Sequence, residues 1–468
     1  MIVRHLILQS QKKIWFEMTE NKEELTELEF RLEQEELFEA KERPVPKRAL
    51  LVAVHKGSSE KEEALEHVRE LSALADTYGI EELFEDLCSI RKYDASTYVT
   101  KGKLEELVEK AKELEVDVIV FDDELPPSQQ RNLESAFKIP VMDRTEIILE
   151  VFVKHAKTRE ARLQIELAKC KYQLPRLKRM WTHLSRQRGG GVHTKGEGEK
   201  QLEIDRRLLQ RRMDRLQKAL EAVRAQRSTQ RRARDRNEVP TFALVGYTNA
   251  GKSSMMNALT EADVLVEDQL FATLDTTTRK YTLPNKQEVL LIDTVGFIRK
   301  LPHLLVAAFK STLEEVVFAD FLIHVIDGSH SSAHQQAEAT LEVLRELDAA
   351  NKPMITVINK IDADLTPATV NRLRIQFTRC IQVSAKTGEG IPLLLEVMQN
   401  TLADRRQTVN LRIPQSEYGL VTELTRKGHV HEQDYEGDDV LLKVDVPKDI
   451  LHKVEAFAVK SEENQGNS

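Results

Sequence analysis

Residues 241–259, TFALVGYTNAGKSSMMNAL, constrain the fold of this chain more tightly than any other stretch. An apolar run ends in glycine, a short polar loop follows, and then a helix-forming run begins; Gly246, Gly251, Lys252 and Ser253 satisfy G-x-x-x-x-G-K-[ST]. The pattern needs a strand before it and a helix after it. Glycines let backbone N–H groups close around phosphates, Lys252 can neutralise β/γ oxygens, the Ser253 hydroxyl can ligate Mg²⁺, and the helix N-terminus adds its dipole. The chain must therefore contain an α/β domain that holds a nucleotide phosphate group.

Three further apolar runs carry chemistry at their ends, in the order such a domain requires. VLLIDTVG (Val289 to Gly296) places Asp293 to hold Mg²⁺ through water and Gly296 to sense a γ-phosphate through its amide. MITVINKID (Met354 to Asp362) ends in Asn359, Lys360 and Asp362, and a carboxylate at that last position can accept the ring N–H and exocyclic amine of guanine together. Adenine offers no such pair, so GTP is expected rather than ATP. IQVSAKTGEG (Ile381 to Gly390) brings Ser384, Ala385 and Lys386 to a strand end, suited to backbone contact with guanine O6.

Between the phosphate loop and Asp293 lies FATLDTTTRK, where one threonine should close on Mg²⁺ and the γ-phosphate. Thr273, Thr276, Thr277 and Thr278 are all candidates, and composition does not choose among them. After Gly296 stands Phe297, where a water-orienting Gln is common, so intrinsic hydrolysis should be slow.

Charge is segregated. The 468 residues hold 69 Lys and Arg against 77 Asp and Glu, a net of −8, which taken whole argues against a nucleic-acid partner. Yet Lys154 to Arg236 carry 25 basic and 9 acidic residues, a net of +16 that leaves −24 on the remainder. In and just before this segment Val153, Ala156, Leu163, Leu167, Cys170 and Leu174 recur mostly at steps of three or four, and Leu209, Met213, Leu216, Leu220 and Val223 do so throughout. Pro175 should end the first run near Gln173. Between the runs SRQRGGGVHTKGEGEK includes Gly189, Gly190, Gly191, Gly196 and Gly198, which should continue neither helix. The expectation is an antiparallel helical hairpin, each arm about 35 residues, whose seam is used up in pairing. Arg206, Arg207, Arg211, Arg212 and Arg215 would then face outward and, with Arg186, Arg188, His193 and Lys195 of the glycine-rich tip, contact RNA phosphates.

Upstream, ALLVAVH (Ala49 to His55), a helical stretch from Glu60 to Tyr78, VDVIVFDD (Val116 to Asp123) and IPVMDR (Ile139 to Arg144) alternate as in a small parallel α/β domain. Lys101, Gly102 and Lys103 read as a glycine turn with exposed lysines. Glu17 to Arg43, with 11 Glu against 4 Lys and Arg, read as a solvated N-terminal element. From about Asn410 the pattern, including LLKVDVP (Leu441 to Pro447), reads as a small α/β module. The expected architecture is a multidomain α/β chain: 1–47 an acidic extension, 48–149 the parallel α/β domain, 150–236 the basic hairpin, 239–403 a P-loop GTPase domain, and 404–468 the C-terminal module with a disordered tail.

GYTNAGKS, FATLD, DTVGF, NKID and SAK, preceded by W-x-H-L-S-R-Q and GEGEKQLEIDRR, resemble the HflX-type GTPases of the translation-factor-related class from about Ala49 to Phe457. The resemblance implies GTP hydrolysis stimulated by the ribosome, binding to the large subunit and its RNA, and GTP-dependent splitting of stalled ribosomes. It assigns Thr273, with Ser253, to the metal. With Lys252, Asp293 and Gly296, Thr273 would make up the catalytic set. The nucleotide would lie against Tyr247, Thr248, Asn249 and Ala250 of the loop, Phe271, Ala272, Leu274 and Asp275 of FATLD, Thr294 and Val295, and Ile361. The family's Gly-Pro-Gly-Glu-Thr is GEGEK here, and Thr276 stands where Pro is common, so tip and switch are both less stiff.

A GTP-gated assembly or storage factor, or a regulator of another RNA or a membrane partner, would share these motifs. No run is long enough to span a membrane, which leaves peripheral contact open, and Cys88, Cys170 and Cys380 form no metal-spaced cluster. A cytoplasmic monomer with no DNA partner is expected.

Overall fold

The computed structural model describes residues 46–177, 195–235, 239–260, 270–271, 274, 276–302, 305, 310–363, 365, 367–377, 380–403, 406–427, 429–447 and 451–459. The acidic extension and most of the glycine-rich tip lie outside them.

The first unit contains β1 (Arg48–His55), α1 (Lys61–Tyr78), β2 (Glu81–Ser89), α2 (Lys101–Glu113), β3 (Val118–Phe121), α3 (Pro127–Phe137) and β4 (Val141–Met142). Its strands form one parallel sheet in the order β2-β1-β3-β4. β1 is apolar from Ala49 to Val54 because both its faces are covered: Ala49 and Leu51 enter one core, Leu50 and Val52 another. β2, EELFEDLCS, gives no such signal in the sequence. It is an edge strand paired only with β1, and its glutamates can reach water.

Next come α4 (Arg144–His155), α5 (Arg159–Gln173) and α6 (Lys195–Asp235). The first arm of the expected hairpin is broken. Thr158 caps α5 by accepting a hydrogen bond from Ala161 N at 3.2 Å, and α4 packs Ile147, Ile148, Val151 and Phe152 into the sheet core. Ala156 therefore joins that core and Val153 is 40 % exposed, so neither belongs to the seam. The seam proper pairs Leu163, Leu167 and Cys170 of α5 with Leu216 and Leu220 of α6, flanked by Leu209, Met213 and Val223. α5 ends at Gln173 before Pro175, as the proline requires. Gly196 and Gly198, expected to be non-helical, lie in the first turn of α6. A glycine costs about 1 kcal/mol in a helix interior, and the long run of good helix formers that follows can offset two. Arg176 fastens the C-terminal end of α5 to the sheet unit: its guanidinium donates to Leu125 O at 2.7 Å, Gln130 Oε1 at 3.0 Å and Asp143 Oδ2 at 3.2 Å.

The third unit contains β5 (Thr241–Gly246), α7 (Lys252–Thr260), β6 (Thr277–Thr282), β7 (Glu288–Asp293), α8 (Lys310–Phe318), β8 (Phe321–Asp327), α9 (Ala333–Glu346), β9 (Met354–Asn359), α10 (Pro367–Gln376), β10 (Cys380–Gln382) and α11 (Ile391–Ala403). Its six strands run β10-β9-β8-β5-β7-β6, parallel except for β6. β11 (Arg406–Pro414), β12 (His429–Glu436) and β13 (Asp439–Pro447) make an antiparallel sheet, β11-β13-β12, on which α12 (Tyr418–Lys427) packs through Val421 and Leu424 and a short helix, α13 (Leu451–Val454), through Val454. Among the described residues no helix is long and apolar enough to cross a membrane.

Two packing predictions follow from these contacts. Leu216 is fully buried in the seam, so Leu216→Ala should cost about 2–4 kcal/mol in denaturant unfolding. His324, buried in β8 with neither ring nitrogen hydrogen-bonded, has its pKa lowered to about 4 by burial and by Lys252. The neutral ring is favoured in the fold, so its share of stability is complete above pH 6.5 and is lost as pH falls toward 4. Unfolding free energy should drop by about 2 kcal/mol from this group between pH 7 and 5, and His324→Leu should flatten that dependence.

Candidate nucleotide site

β5, β8 and β9 end side by side, and the loops beyond them converge. Gly251 has φ +90°, and a Cβ there would meet Asn359 Nδ2 at 2.3 Å, so only glycine lets the loop close over Asn359. Asn359 Nδ2 donates to Ala250 O at 2.9 Å, while its Oδ1 accepts from Ala385 N at 3.0 Å. One buried side chain thus ties the phosphate loop to the SAK segment.

Lys252 is buried, and its Nζ donates to Tyr247 O at 2.7 Å and Gly246 O at 3.2 Å. Burial lowers its pKa to about 8, against the opposing pull of Asp293. A phosphate beside it would raise that pKa again by favouring the charged form. Ser253 Oγ donates to Asp293 Oδ2 at 2.6 Å, which sets two hard oxygen donors together at the helix start, a set that fits Mg²⁺. Thr294 is turned inward, its hydroxyl donating to Leu244 O at 2.6 Å. A Cβ on Gly296 would approach Thr248 Cα at 2.8 Å and Lys252 Nζ at 3.0 Å, so a glycine here keeps clear the space around the lysine amine.

At the other edge, Asp362 is exposed and accepts from Ser384 Oγ at 2.6 Å, which holds its carboxyl below the usual range. Ser384 Oγ also accepts from Thr387 N at 3.0 Å. The carboxylate is oriented and charged, as recognition of the guanine N–H pair needs. Lys360 pairs with Asp327 Oδ2 at 2.8 Å, a partner that no motif had marked. Ile361 N lies against Val383 O at 3.4 Å, closing β9 onto the SAK loop.

Several expected contacts turn elsewhere. The side chains of Tyr247 and Phe271 leave the nucleotide side: Tyr247 donates its hydroxyl proton to Glu70, and Phe271 packs edge-on to Phe152, with ring centroids 4.5 Å apart. Leu274 and Val295 are buried, and Leu274 enters the main core. Thr277 and Thr278 belong to β6, where they pair with Asp293 and Ile292. Ala272, Thr273 and Asp275 lie outside the described residues, as do Arg186, Arg188, Gly189, Gly190, Gly191 and His193. Lys195 opens α6, on which the Arg206 and Arg207 side chains are exposed. Arg212, expected to face outward, instead donates to Glu166 at 2.9 Å across the seam. Phe297 is buried. Its N–H donates to Gly246 O at 3.0 Å and its carbonyl accepts from Thr248 N at 2.7 Å, so it offers no side-chain group to a water.

The sheet, the phosphate loop and the guanine-reading edge define a P-loop GTPase. Family models match in chain order: residues 65–153 the one described as "GTP-binding GTPase N-terminal", 155–234 "GTP-binding GTPase Middle Region", and 241–360 "50S ribosome-binding GTPase". "GTPase HflX" of Chlamydia pneumoniae is 46% identical over 416 residues, covering 88% of each chain. "GTPase HflX" of Escherichia coli (strain K12) is 42% identical over 386 residues, covering 82% of this chain and 90% of that protein. Among solved structures, a GTP-binding protein from Sulfolobus solfataricus in complex with GDP is 27% identical, covering 76% of this chain and 98% of that one, with a TM-score of 0.39. The chain belongs to the HflX family of GTPases.

Gly251→Ala should abolish guanine-nucleotide binding, because the methyl would displace Asn359, and equilibrium titration with fluorescent GDP would read this directly. Asp362→Asn should weaken GTP by at least about 10-fold and improve xanthosine triphosphate in return, since the amide donates where the carboxylate accepted. Unchanged GTP affinity in Asp362→Asn would contradict the guanine assignment.

Proposed function

We propose that this GTPase works on the ribosome: it binds the large (50S) subunit through the basic hairpin and uses GTP binding and hydrolysis to dissociate stalled or idle ribosomes. The observation that carries the reading is the segregation of charge. A net +16 lies on one helical segment of a chain that is −8 overall, and Arg206, Arg207, Arg211 and Arg215 are exposed on α6. An acidic body confines contact with RNA to that arm by repelling the rest of the surface. Match to a family model described as "50S ribosome-binding GTPase" supports the choice of partner.

In this reading Lys252 and the loop amides hold the β- and γ-phosphates, Gly296 offers its amide to the γ-phosphate, and Asp362 with the SAK segment selects guanine. Ser253, with Thr273, would ligate Mg²⁺ and Asp293 would hold it through water; the ion neutralises charge on the phosphate oxygens. Phe297 cannot orient the attacking water, so hydrolysis is slow alone and accelerates on the ribosome. The tip, with Arg186, Arg188 and His193, approaches ribosomal RNA.

Sucrose-gradient profiles of 70S ribosomes with this protein test the proposal. Subunits should accumulate with GTP and with a non-hydrolysable analogue. Comigration with the 50S subunit without dissociation would point instead to an assembly or storage role, and absence of ribosome association would exclude both. Replacing residues 189–198 with a short linker should leave intrinsic hydrolysis within about twofold and remove most ribosome stimulation.

A further inference from the structure

Three hydroxyl groups around the phosphate loop are committed to fixed partners. Ser253 Oγ donates to Asp293 Oδ2 at 2.6 Å, Thr294 Oγ1 donates to Leu244 O at 2.6 Å, and the Tyr247 hydroxyl donates to Glu70. Thr248 differs. It is 6 % exposed, and among the described residues its Oγ1 has no hydrogen-bond partner. A buried hydroxyl in that state has given up the hydrogen bonds of water and received none in return, so it is most readily kept where a ligand completes the bond.

Backbone contacts fix where Thr248 stands. Its N–H donates to Phe297 O at 2.7 Å and the Phe297 N–H donates to Gly246 O at 3.0 Å, which laces the loop to the chain just beyond Gly296. A Cβ on Gly296 would lie 2.8 Å from Thr248 Cα, 2.8 Å from Thr248 Cγ2 and 3.0 Å from Lys252 Nζ. The threonine side chain and the lysine amine therefore border the same small space in front of Gly296, and one rotamer step about Cα–Cβ exchanges methyl for hydroxyl there. Thr248 and Asn249 also line a cavity of about 720 Å³, together with Asp327 and Ser331 beyond β8 and His67 and Glu70 of α1. Polar walls of this kind suit water.

We infer that Thr248 is a catalytic residue for GTP hydrolysis: its hydroxyl accepts a hydrogen bond from the attacking water and donates one to a γ-phosphate oxygen. The inference rests on the GTP reading of the loop and goes beyond it by filling the role that Phe297 leaves open. A threonine hydroxyl is donor and acceptor at once, so one side chain can span water and phosphate. In the step, the water oxygen bonds to the γ-phosphorus while the bond from that phosphorus to the β–γ bridging oxygen breaks, and GDP keeps the electron pair. One proton of the water passes to a γ-phosphate oxygen and departs with inorganic phosphate. Thr248 ends the step with the proton it began with, so its contribution is orientation. Glu70, the nearby carboxylate that could compete for the water, is already held by Arg144, Arg299 and the Tyr247 hydroxyl.

The test uses the full-length protein without ribosomes. Thr248→Val keeps the branched shape and replaces only the hydroxyl, whereas Thr248→Ser keeps the hydroxyl and loses a methyl. Thr248→Val should slow single-turnover GTP hydrolysis by about tenfold or more while affinity for fluorescent GDP stays within about twofold. Thr248→Ser should recover most of the lost rate. GDP with aluminium fluoride, which mimics the phosphoryl group in transfer, should lose about tenfold more affinity for Thr248→Val than GDP does. A Thr248→Val rate within about twofold of the wild type overturns the inference. So does a loss of GDP affinity as large as the loss of rate, or a Thr248→Ser rate no higher than that of Thr248→Val. Failure of the wild type to bind GDP at all would overturn the GTP reading first and the inference with it, so the two failures are told apart.

Discussion

Asp122 is 2 % exposed and receives Arg144, Arg299 and Lys300. Burial alone would raise its carboxyl, but Arg144, then Arg299 and Lys300, hold it below the ordinary value, so it stays charged. A carboxylate this far from water is tolerable only while its cations are present; removing one partner of such a pair commonly costs about 3–5 kcal/mol. Two of the three cations belong to the GTPase unit. The buried charge of Asp122 is thus shared between the two units, beside the Tyr247–Glu70 and Phe271–Phe152 contacts that also join them.

In the middle of the chain α5 gives one apolar stripe to α6 and another, Ala161, Ile165, Ala168 and Tyr172, to the core it shares with α4, and one arginine, Arg212, is drawn into the seam by Glu166. Arg206, Arg207, Arg211 and Arg215 have no place left but the surface. A helix that buries one stripe and exposes a row of guanidinium groups is an electrostatic arm, and its partner α5 is held at its C-terminal end by the buried Arg176–Asp143 pair.

Much of this was legible because the signals are local. A strand, a glycine loop and a helix must be contiguous to cradle phosphate, so Gly246 to Ser253 disclose both fold and chemistry. The same holds for Asp293 to Gly296 and Asn359 to Asp362, each a strand end. β2 escaped because an edge strand with solvated faces lacks an apolar run. The break at Ala156 escaped because the seven-residue step from Ala156 to Leu163 keeps the heptad phase, while Ala156 turns to the sheet core and Leu163 to α6. Tyr247 and Phe271 sit at motif positions, yet spacing says nothing about which way a side chain turns.

The sequence by itself determined the nucleotide class, since guanine recognition depends on residue types at fixed offsets within single loops, and it determined the charge of the hairpin by simple excess. Only the tertiary structure decided that Glu70, Asp122 and Arg144 meet Tyr247, Arg299 and Lys300. Glu70 and Arg299 lie 229 residues apart, and no periodicity records such a meeting. Packing brings them together because each charge, once buried, must find its counterpart or leave the fold.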